Sequence, residues 1–327
     1  MTFGQFDTIC EKASLPLCPL VGPYEESSYS ILHQTGITPE CFARSIDLAN
    51  TIIFQVGNAF INIAALGVLV IIILNIRSKF TAIGRREILD FFLILFVTVF
   101  LSLVVDSGVV PPGSGAYAWF VAVHAGFSSA CCWALMLNGL LGFQFYEDGT
   151  PRSVWGLRIS SFCAFALTFI IAVLTFHGWT PDTLSPTKTT GLFVVLYLLN
   201  AIFVATYIVS QLALTIFVLH DPWALGAVGL GTFFFAAGQV ILYAFSYKIC
   251  DNVKHYLDGL FFASLTNLFA SMMVYKYWDM ITTEDLEFSV SNKESAWEVK
   301  ELLDEDRRYD NGSEYAGSTY ALNSHMF

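Results

Sequence analysis

The sequence predicts an all-α membrane protein: a seven-transmembrane-helix bundle with a lumenal N-terminus and an acidic cytoplasmic C-terminal tail. Of its 327 residues, 55% are hydrophobic and only 13% are charged, and the mean hydropathy is +0.61. Soluble domains carry about 25% charged residues, so this chain lacks the polar surface of a soluble enzyme. The net charge of −11 also argues against a nucleic-acid partner, which would require a basic surface. The predicted surroundings are therefore the lipid bilayer.

Seven apolar windows have the length that crossing a bilayer requires, roughly 20 residues each. The windows are Asn50–Ile76, Ile88–Val105, Ala118–Phe143, Trp155–Phe176, Thr190–Leu219, Ala224–Tyr247 and Tyr256–Trp278. Segments rich in proline, glycine or charge separate them. The predicted domains are a lumenal N-terminal segment (1–49), the membrane domain (50–278) and a cytoplasmic tail (279–327).

The orientation follows from the basic residues that flank the spans. Arg77, Lys79, Arg85 and Arg86 concentrate in the first loop between spans, whereas the opposite side carries single, scattered basic residues. Cytoplasmic loops are enriched in Lys and Arg, so the first loop is predicted to be cytoplasmic. With seven spans, the N-terminus is then lumenal and the tail cytoplasmic. Residues 279–327 hold 12 acidic and four basic residues, a net charge of −8.

Four cysteines fall on the oxidising, lumenal side in this topology: Cys10, Cys18, Cys41 and Cys250. Four cysteines permit three pairings, and secretory compartments allow disulfides to persist. We predict at least one disulfide that anchors the N-terminal segment. A pairing with Cys250 would hold that segment over the end of the sixth span.

Amide and hydroxyl side chains inside the spans recur at helical spacing. Thr51, Gln55, Asn58 and Asn62 are spaced by four, three and four residues, which predicts one helical stripe. Later spans contribute Asn200, Gln211, Gln239 and Asn267. Unsatisfied amides in hydrocarbon are costly, so these residues must face another helix, a cavity or a partner protein. Hydrogen bonding within the bundle and contact with a partner protein remain the alternatives.

Ionisable residues near the membrane raise the question of catalysis. We expect Asp106, His255 and Asp258 at lumenal span ends, within reach of water, and His124 inside the third span. A seven-span zinc hydrolase of the alkaline-ceramidase type is the alternative function, and it needs several histidines and a carboxylate around an open metal position. His124, His255 and Asp258 supply too few ligands. The sequence therefore predicts a protein that is not an enzyme, with no catalytic residues, no metal and no cofactor.

The tail has its own pattern. Ser291 and Glu294 have the spacing of a capping box, and the apolar residues that follow predict a short amphipathic helix from about Glu294 to Arg307. Asp285 and Glu287 form a diacidic pair of the kind that vesicle-coat adaptors bind, which makes them a candidate export signal. A tail that only keeps this end of the chain soluble is the alternative.

Nine segments follow one another in the order and at the spacing of a known family. They are 41–54, 56–63, 81–85, 105–115, 130–134, 254–262, 272–276, 278–280 and 285–288. In these segments the sequence resembles the fungal chitin synthase export chaperone family, and the resemblance covers nearly the whole chain to about Phe288, although it is weaker at residues 19–40. It implies a multi-pass endoplasmic reticulum membrane protein without catalytic residues. Such a protein binds a polytopic chitin synthase, prevents its aggregation and promotes its export for cell-wall synthesis.

Overall fold

The computed structural model describes residues 3–22, 36–48, 51–80, 82, 84–143, 149–181 and 183–282. The chain divides into a compact unit, Met1–Trp278, and a second unit, Asp279–Phe327. The candidate export signal at Asp285 and Glu287 and the predicted amphipathic helix from Glu294 to Arg307 lie outside the described residues.

The described part of the chain is mainly helical. The helices are α1 (Asp7–Lys12), α2 (Val56–Ser78), α3 (Arg85–Asp106), α4 (Tyr117–Leu141), α5 (Pro151–His177), α6 (Thr190–Leu219), α7 (Pro222–Asn252) and α8 (259–282). Six of these, α2 to α7, are long and apolar enough to cross a membrane. Helices α6 and α7 each contain π-helical turns, such as Ile241–Phe245 in α7. The structure therefore confirms the all-α, membrane-type fold class.

Capping side chains, prolines and a glycine mark the ends of helices α5 and α7. Helix α5 begins after Thr150, whose hydroxyl accepts a hydrogen bond from the Ser153 amide, and helix α7 begins after Asp221, whose carboxylate accepts from the Trp223 amide at 3.0 Å. Both helices have proline at their first position, where a missing N–H costs nothing. Gly178 ends α5 with a φ of 62°, a conformation that glycine adopts without strain.

Helix α4 lies at the centre of the packing and contacts α3, α5 and α6. Two apolar clusters fill the interior. One joins Phe6 of the N-terminal segment to Val105, Tyr117 and Leu192, and the other joins Ile76, Phe92 and their neighbours at the opposite ends of α2 and α3. The N-terminal segment is therefore part of the core and not an appendage.

The outer faces of the helices are apolar. Phe60, Ile71, Phe162, Phe217 and Phe233 each expose between 59% and 76% of their surface. Soluble monomers rarely expose so many contiguous large apolar side chains. These faces are suited to contact lipid.

The first span begins later than the sequence predicted. Residues Ile46–Leu48 (β1) and Thr51–Ile53 (β2) form an antiparallel hairpin in which Leu48 pairs with Thr51. The prediction that Thr51 and Gln55 lie on the helical stripe is therefore wrong, because both residues precede α2. The β-branched run of Thr51, Ile52 and Ile53 favours a strand, and the positive φ of Gln55, 46°, marks the turn into α2.

Candidate functional site

A buried polar cluster joins α2, α3 and α8. We define the Asp106 cluster as Asn58, Ser102, Asp106 and Ser264. The Asn58 amide donates to the Asp106 carboxylate at 2.8 Å, Ser102 donates to the same oxygen at 2.7 Å, and Ser264 donates to the Asn58 carbonyl at 2.7 Å. Every one of these bonds except that of Ser102 crosses between helices. The cluster thus fixes the mutual position of three helices by directional contacts.

Asn62 extends the cluster by one turn of α2, and its amide lies 3.5 Å from the Ser102 hydroxyl. Asn58 and Asn62 expose only 1% and 4% of their surface. These two of the four predicted stripe residues face the interior of the bundle, where their amides meet polar groups of a neighbouring helix.

The expectation that Asp106 and Asp258 are within reach of water is wrong. Asp106 is 8% exposed and Asp258 is 2% exposed. The N-terminal segment covers this end of the bundle, because Tyr117 donates to the Pro16 carbonyl at 2.8 Å and Ser14 donates to Asp258 at 3.0 Å. The position of this N-terminal segment was not predicted, because the hydropathy of a non-helical segment does not indicate where it packs.

Gln55 and Asp258 are connected through the same segment. The Gln55 amide donates to the Ser14 hydroxyl at 2.9 Å, and the Phe261 amide donates to Asp258 at 3.2 Å. Burial raises the pKa of the Asp258 carboxyl, and the hydrogen bonds from the Phe261 amide and the Ser14 hydroxyl partly oppose that rise. Gln55 thus binds the N-terminal segment and not a helix of the bundle.

The structure pairs the four predicted cysteines as Cys10–Cys18 and Cys41–Cys250. The first disulfide closes a short loop inside the N-terminal segment, with Cα atoms 5.6 Å apart. The second joins the segment before β1 to the end of α7 over a separation of 209 residues. Cys131, Cys132 and Cys163 are free thiols within the helices.

Two further predicted amides line the contact between α4 and α6. The Asn200 amide donates to the Ser129 hydroxyl at 3.1 Å, and the Gln211 amide donates to the Gly139 carbonyl at 3.0 Å. Both residues are buried. These two positions act within the bundle, as interhelical contacts.

Gln239 and Asn267 behave differently from the other predicted amides. Asn267 is exposed and Gln239 is half-buried, and no hydrogen bond links either side chain to another described residue. Their sequence neighbours Gly238 and Thr266 lie at the point where α7 and α8 pack together. Two amides without a partner therefore lie beside one helix–helix contact.

The structure offers no support for a metal-dependent hydrolase. Among the described residues, one set of potential ligands converges, namely Cys41, Cys250 and His255, and its cysteines form a disulfide. A disulfide provides no thiolate to bind a metal. His124 and Asp258 belong to no such set within the described part of the chain.

The fold and these contacts define a class: a helical membrane protein whose buried polar groups hold helices together. The family model for the chitin synthase export chaperone matches residues 2–292 of the chain. The chain therefore belongs to the chitin synthase export chaperone family.

Curated relatives match over nearly their whole length. The chitin synthase export chaperone of Emericella nidulans is 58% identical over 98% of this chain and 96% of its own length. The proteins of that name in Aspergillus oryzae and Yarrowia lipolytica are 56% and 57% identical, and each alignment covers all of both chains. No solved structure matches the chain.

Proposed function

We propose that this protein is a membrane chaperone that binds chitin synthase in the endoplasmic reticulum, prevents its aggregation and promotes its export toward the cell surface. The observation that carries the proposal is full-length similarity, above 55% identity, to relatives named for this activity. In this proposal the protein has no catalytic role, which agrees with the names of the relatives.

The proposed topology has seven spans, with α8 (259–282) as the last. A helix of 24 residues is about 36 Å long, which exceeds the roughly 30 Å hydrocarbon core. The four basic residues of the first loop favour a cytoplasmic position for that loop. The N-terminal segment (1–49) and both disulfides are then lumenal, the membrane domain is 50–278, and residues 279–327 form the cytoplasmic tail.

The proposed client contact is the outer surface around Gln239 and Asn267. An exposed amide in hydrocarbon lacks the water that would satisfy it, and a polar group of a client span would supply the missing partner. Asn267 lies eight residues into α8, about 12 Å from its start. Asn58, Asn62, Asn200 and Gln211 make interhelical contacts within the bundle that presents this surface.

Co-purification tests the contact. The full chain is expressed in fungal cells that lack their own copy, extracted in mild detergent and assayed for bound chitin synthase. Replacing Gln239 and Asn267 by Leu should remove two hydrogen bonds to the spans of chitin synthase, each of about 0.6 kcal/mol. The loss weakens the binding of chitin synthase roughly eightfold.

The matched control is Asn75→Leu, because Asn75 is also an exposed amide, on α2. The control should retain the client, and both variants should keep the parental melting temperature. Client recovery that is unchanged in the Gln239/Asn267 variant would place the contact elsewhere.

The tail is proposed to act after client folding. A net charge of −8 in residues 279–327 is repelled by an anionic cytoplasmic leaflet, which favours contact of Asp285 and Glu287 with soluble coat adaptors. Deleting the residues after Phe288 should slow export only partly and leave chitin synthase unaggregated. Normal export of chitin synthase by the truncated chain would show that the residues after Phe288 only keep this end of the chain soluble.

A further inference from the structure

A basic cleft lies between the first turns of α3 and α5. It encloses about 360 Å³ and is lined by Arg85, Arg86, Asp90, Trp155 and Arg158, together with Leu89, Pro151 and Val154. None of these residues belongs to the Asp106 cluster or to the proposed client contact. The cleft is therefore a separate feature of the molecule.

The arginines of the cleft outnumber its acids. Arg158 donates to both carboxylate oxygens of Asp90, at 2.7 and 3.0 Å, so the only acidic lining residue is already paired. Glu87, the nearest acid in sequence, accepts from the Gly149 amide. The lining residues include three arginines and one carboxylate, an excess of two positive charges, and no described carboxylate pairs with Arg85 or Arg86.

The unpaired arginines are placed to meet a ligand. Arg86 is exposed, and the Arg85 guanidinium is positioned by a hydrogen bond to the Arg77 carbonyl and by the ring of Phe80, 5.3 Å away. The bidentate pair with Asp90 fixes Arg158 at the opposite wall. Guanidinium groups held on two walls favour an anion with several oxygen atoms, such as a phosphate.

The cleft also lies at a membrane surface. Helices α3 and α5 are alternate spans, so their first turns reach the same face of the bilayer whichever side that face is on. Trp155 is 60% exposed beside the cleft, and tryptophan is enriched at the headgroup level. Leu89 and Val154 add apolar side chains to the lining of the cleft.

We propose that this cleft binds the phosphate headgroup of an anionic phospholipid. Arg85 and Arg86 neutralise the phosphate, Arg158 closes the opposite side, and the Leu89, Val154 and Trp155 wall receives the first carbons of the acyl chains. The apolar wall distinguishes a lipid from free phosphate, because a soluble ion gains nothing from it.

Native mass spectrometry of the full chain in detergent tests the proposal, with dioleoylphosphatidylserine, dioleoylphosphatidylcholine and inorganic phosphate as probes. The chain should retain one phosphatidylserine in preference to phosphatidylcholine. Replacing Arg85 and Arg86 by Gln should weaken that binding roughly 30-fold, from a contribution of about 1 kcal/mol per basic residue. The single variant Arg86→Gln alters only an exposed side chain and should weaken binding roughly fivefold.

The matched control is the double variant Lys248→Gln and Lys254→Gln, which removes the same charge at the other end of the bundle and should bind as the parent does. An equal loss of phosphatidylserine binding in this control would show that binding depends on net charge alone. That result would overturn the assignment of the cleft as the binding site. Equal retention of phosphatidylcholine, or saturation by inorganic phosphate at the same affinity, would also overturn the lipid assignment.

Discussion

The buried carboxylate of Asp106 gives a physical reason for the asparagine at position 58 of α2. A buried carboxylate requires donors, and Asn58 and Ser102 provide two at 2.8 and 2.7 Å. Asn58 also accepts from Ser264, so one amide serves both α3 and α8. While Asn58 keeps both contacts, its amide nitrogen and its carbonyl oxygen are each hydrogen-bonded.

Replacing Asn58 by Leu should therefore lower stability more than a typical polar-to-apolar change in a span. The variant leaves the Asp106 carboxylate with one fewer donor and the Ser264 hydroxyl without its acceptor, a loss of about 1–3 kcal/mol. The melting temperature in detergent measures the effect, and Asn75→Leu, on the exposed face of α2, is the control. Equal melting temperatures for the two variants would show that the cluster does not stabilise the fold.

The sequence predicted part of this cluster. The spacing of Asn58 and Asn62 indicated a shared face, which the structure has. Asp106 was expected in water because a span end is normally hydrated, whereas the N-terminal segment packs over this end of the bundle through Ser14 and Pro16. Hydropathy does not reveal the path of a polar segment, so the burial of Asp106 and Asp258 was not predictable from the sequence.

Among the elements, α4 packs closely against α6 at Gly139. A Cβ atom added at Gly139 would lie 2.7 Å from the Tyr207 ring and 2.8 Å from the Ser210 hydroxyl. Both distances are shorter than a van der Waals contact. The glycine thus allows the Gln211 amide to reach the Gly139 carbonyl.

The variant Gly139→Ala should separate α4 from α6 and destabilise the bundle by about 1–3 kcal/mol, the usual cost of overpacking. Gly156→Ala is the control, because a Cβ atom at Gly156 of α5 meets no atom within 4 Å. The control should be neutral or slightly stabilising, since alanine favours a helix. A Gly139 variant that melts with the control would contradict the close packing of α4 and α6.

The disulfides should be visible as a thiol count. Alkylation of the unfolded, unreduced chain should label Cys131, Cys132 and Cys163 only, and labelling after reduction should reach all seven cysteines. In the chain-entropy model, the long loop closed by Cys41 and Cys250 contributes about 5 kcal/mol. Cys41→Ser should therefore lower the melting temperature far more than Cys163→Ser. Seven labels before reduction would exclude both disulfides.

The order and type of the long helices were predictable, whereas the start of the first span, the β1–β2 hairpin and the short helix α1 were not. Apolar windows marked the positions of α2 to α7 because a bilayer-length apolar run has few alternatives. The window from Asn50 included residues that form β2 instead, because an apolar β-branched run satisfies a hydropathy window and a strand equally well. The cysteine pairing was left open by the sequence, since four cysteines permit three arrangements.

The complete molecule combines a tightly connected bundle with a surface that carries the amides of Gln239 and Asn267. The Asp106 cluster, the α4–α6 contact and the long disulfide hold the helices and the N-terminal segment together. Gln239 and Asn267 lie outside this framework and have no described partner. A chaperone for membrane spans requires such a division, because it must keep its own fold while it offers polar groups to a client.

The most direct test follows chitin synthase in fungal cells that lack this protein. Fluorescently tagged chitin synthase is located by microscopy, and its aggregation state in endoplasmic reticulum membranes is measured by sedimentation of the detergent extract. We expect the synthase to stay in the reticulum in aggregated form, and expression of the full chain to restore a dispersed synthase at the cell surface. A synthase that reaches the surface equally well, unaggregated, with and without the chain would rule out the proposed function.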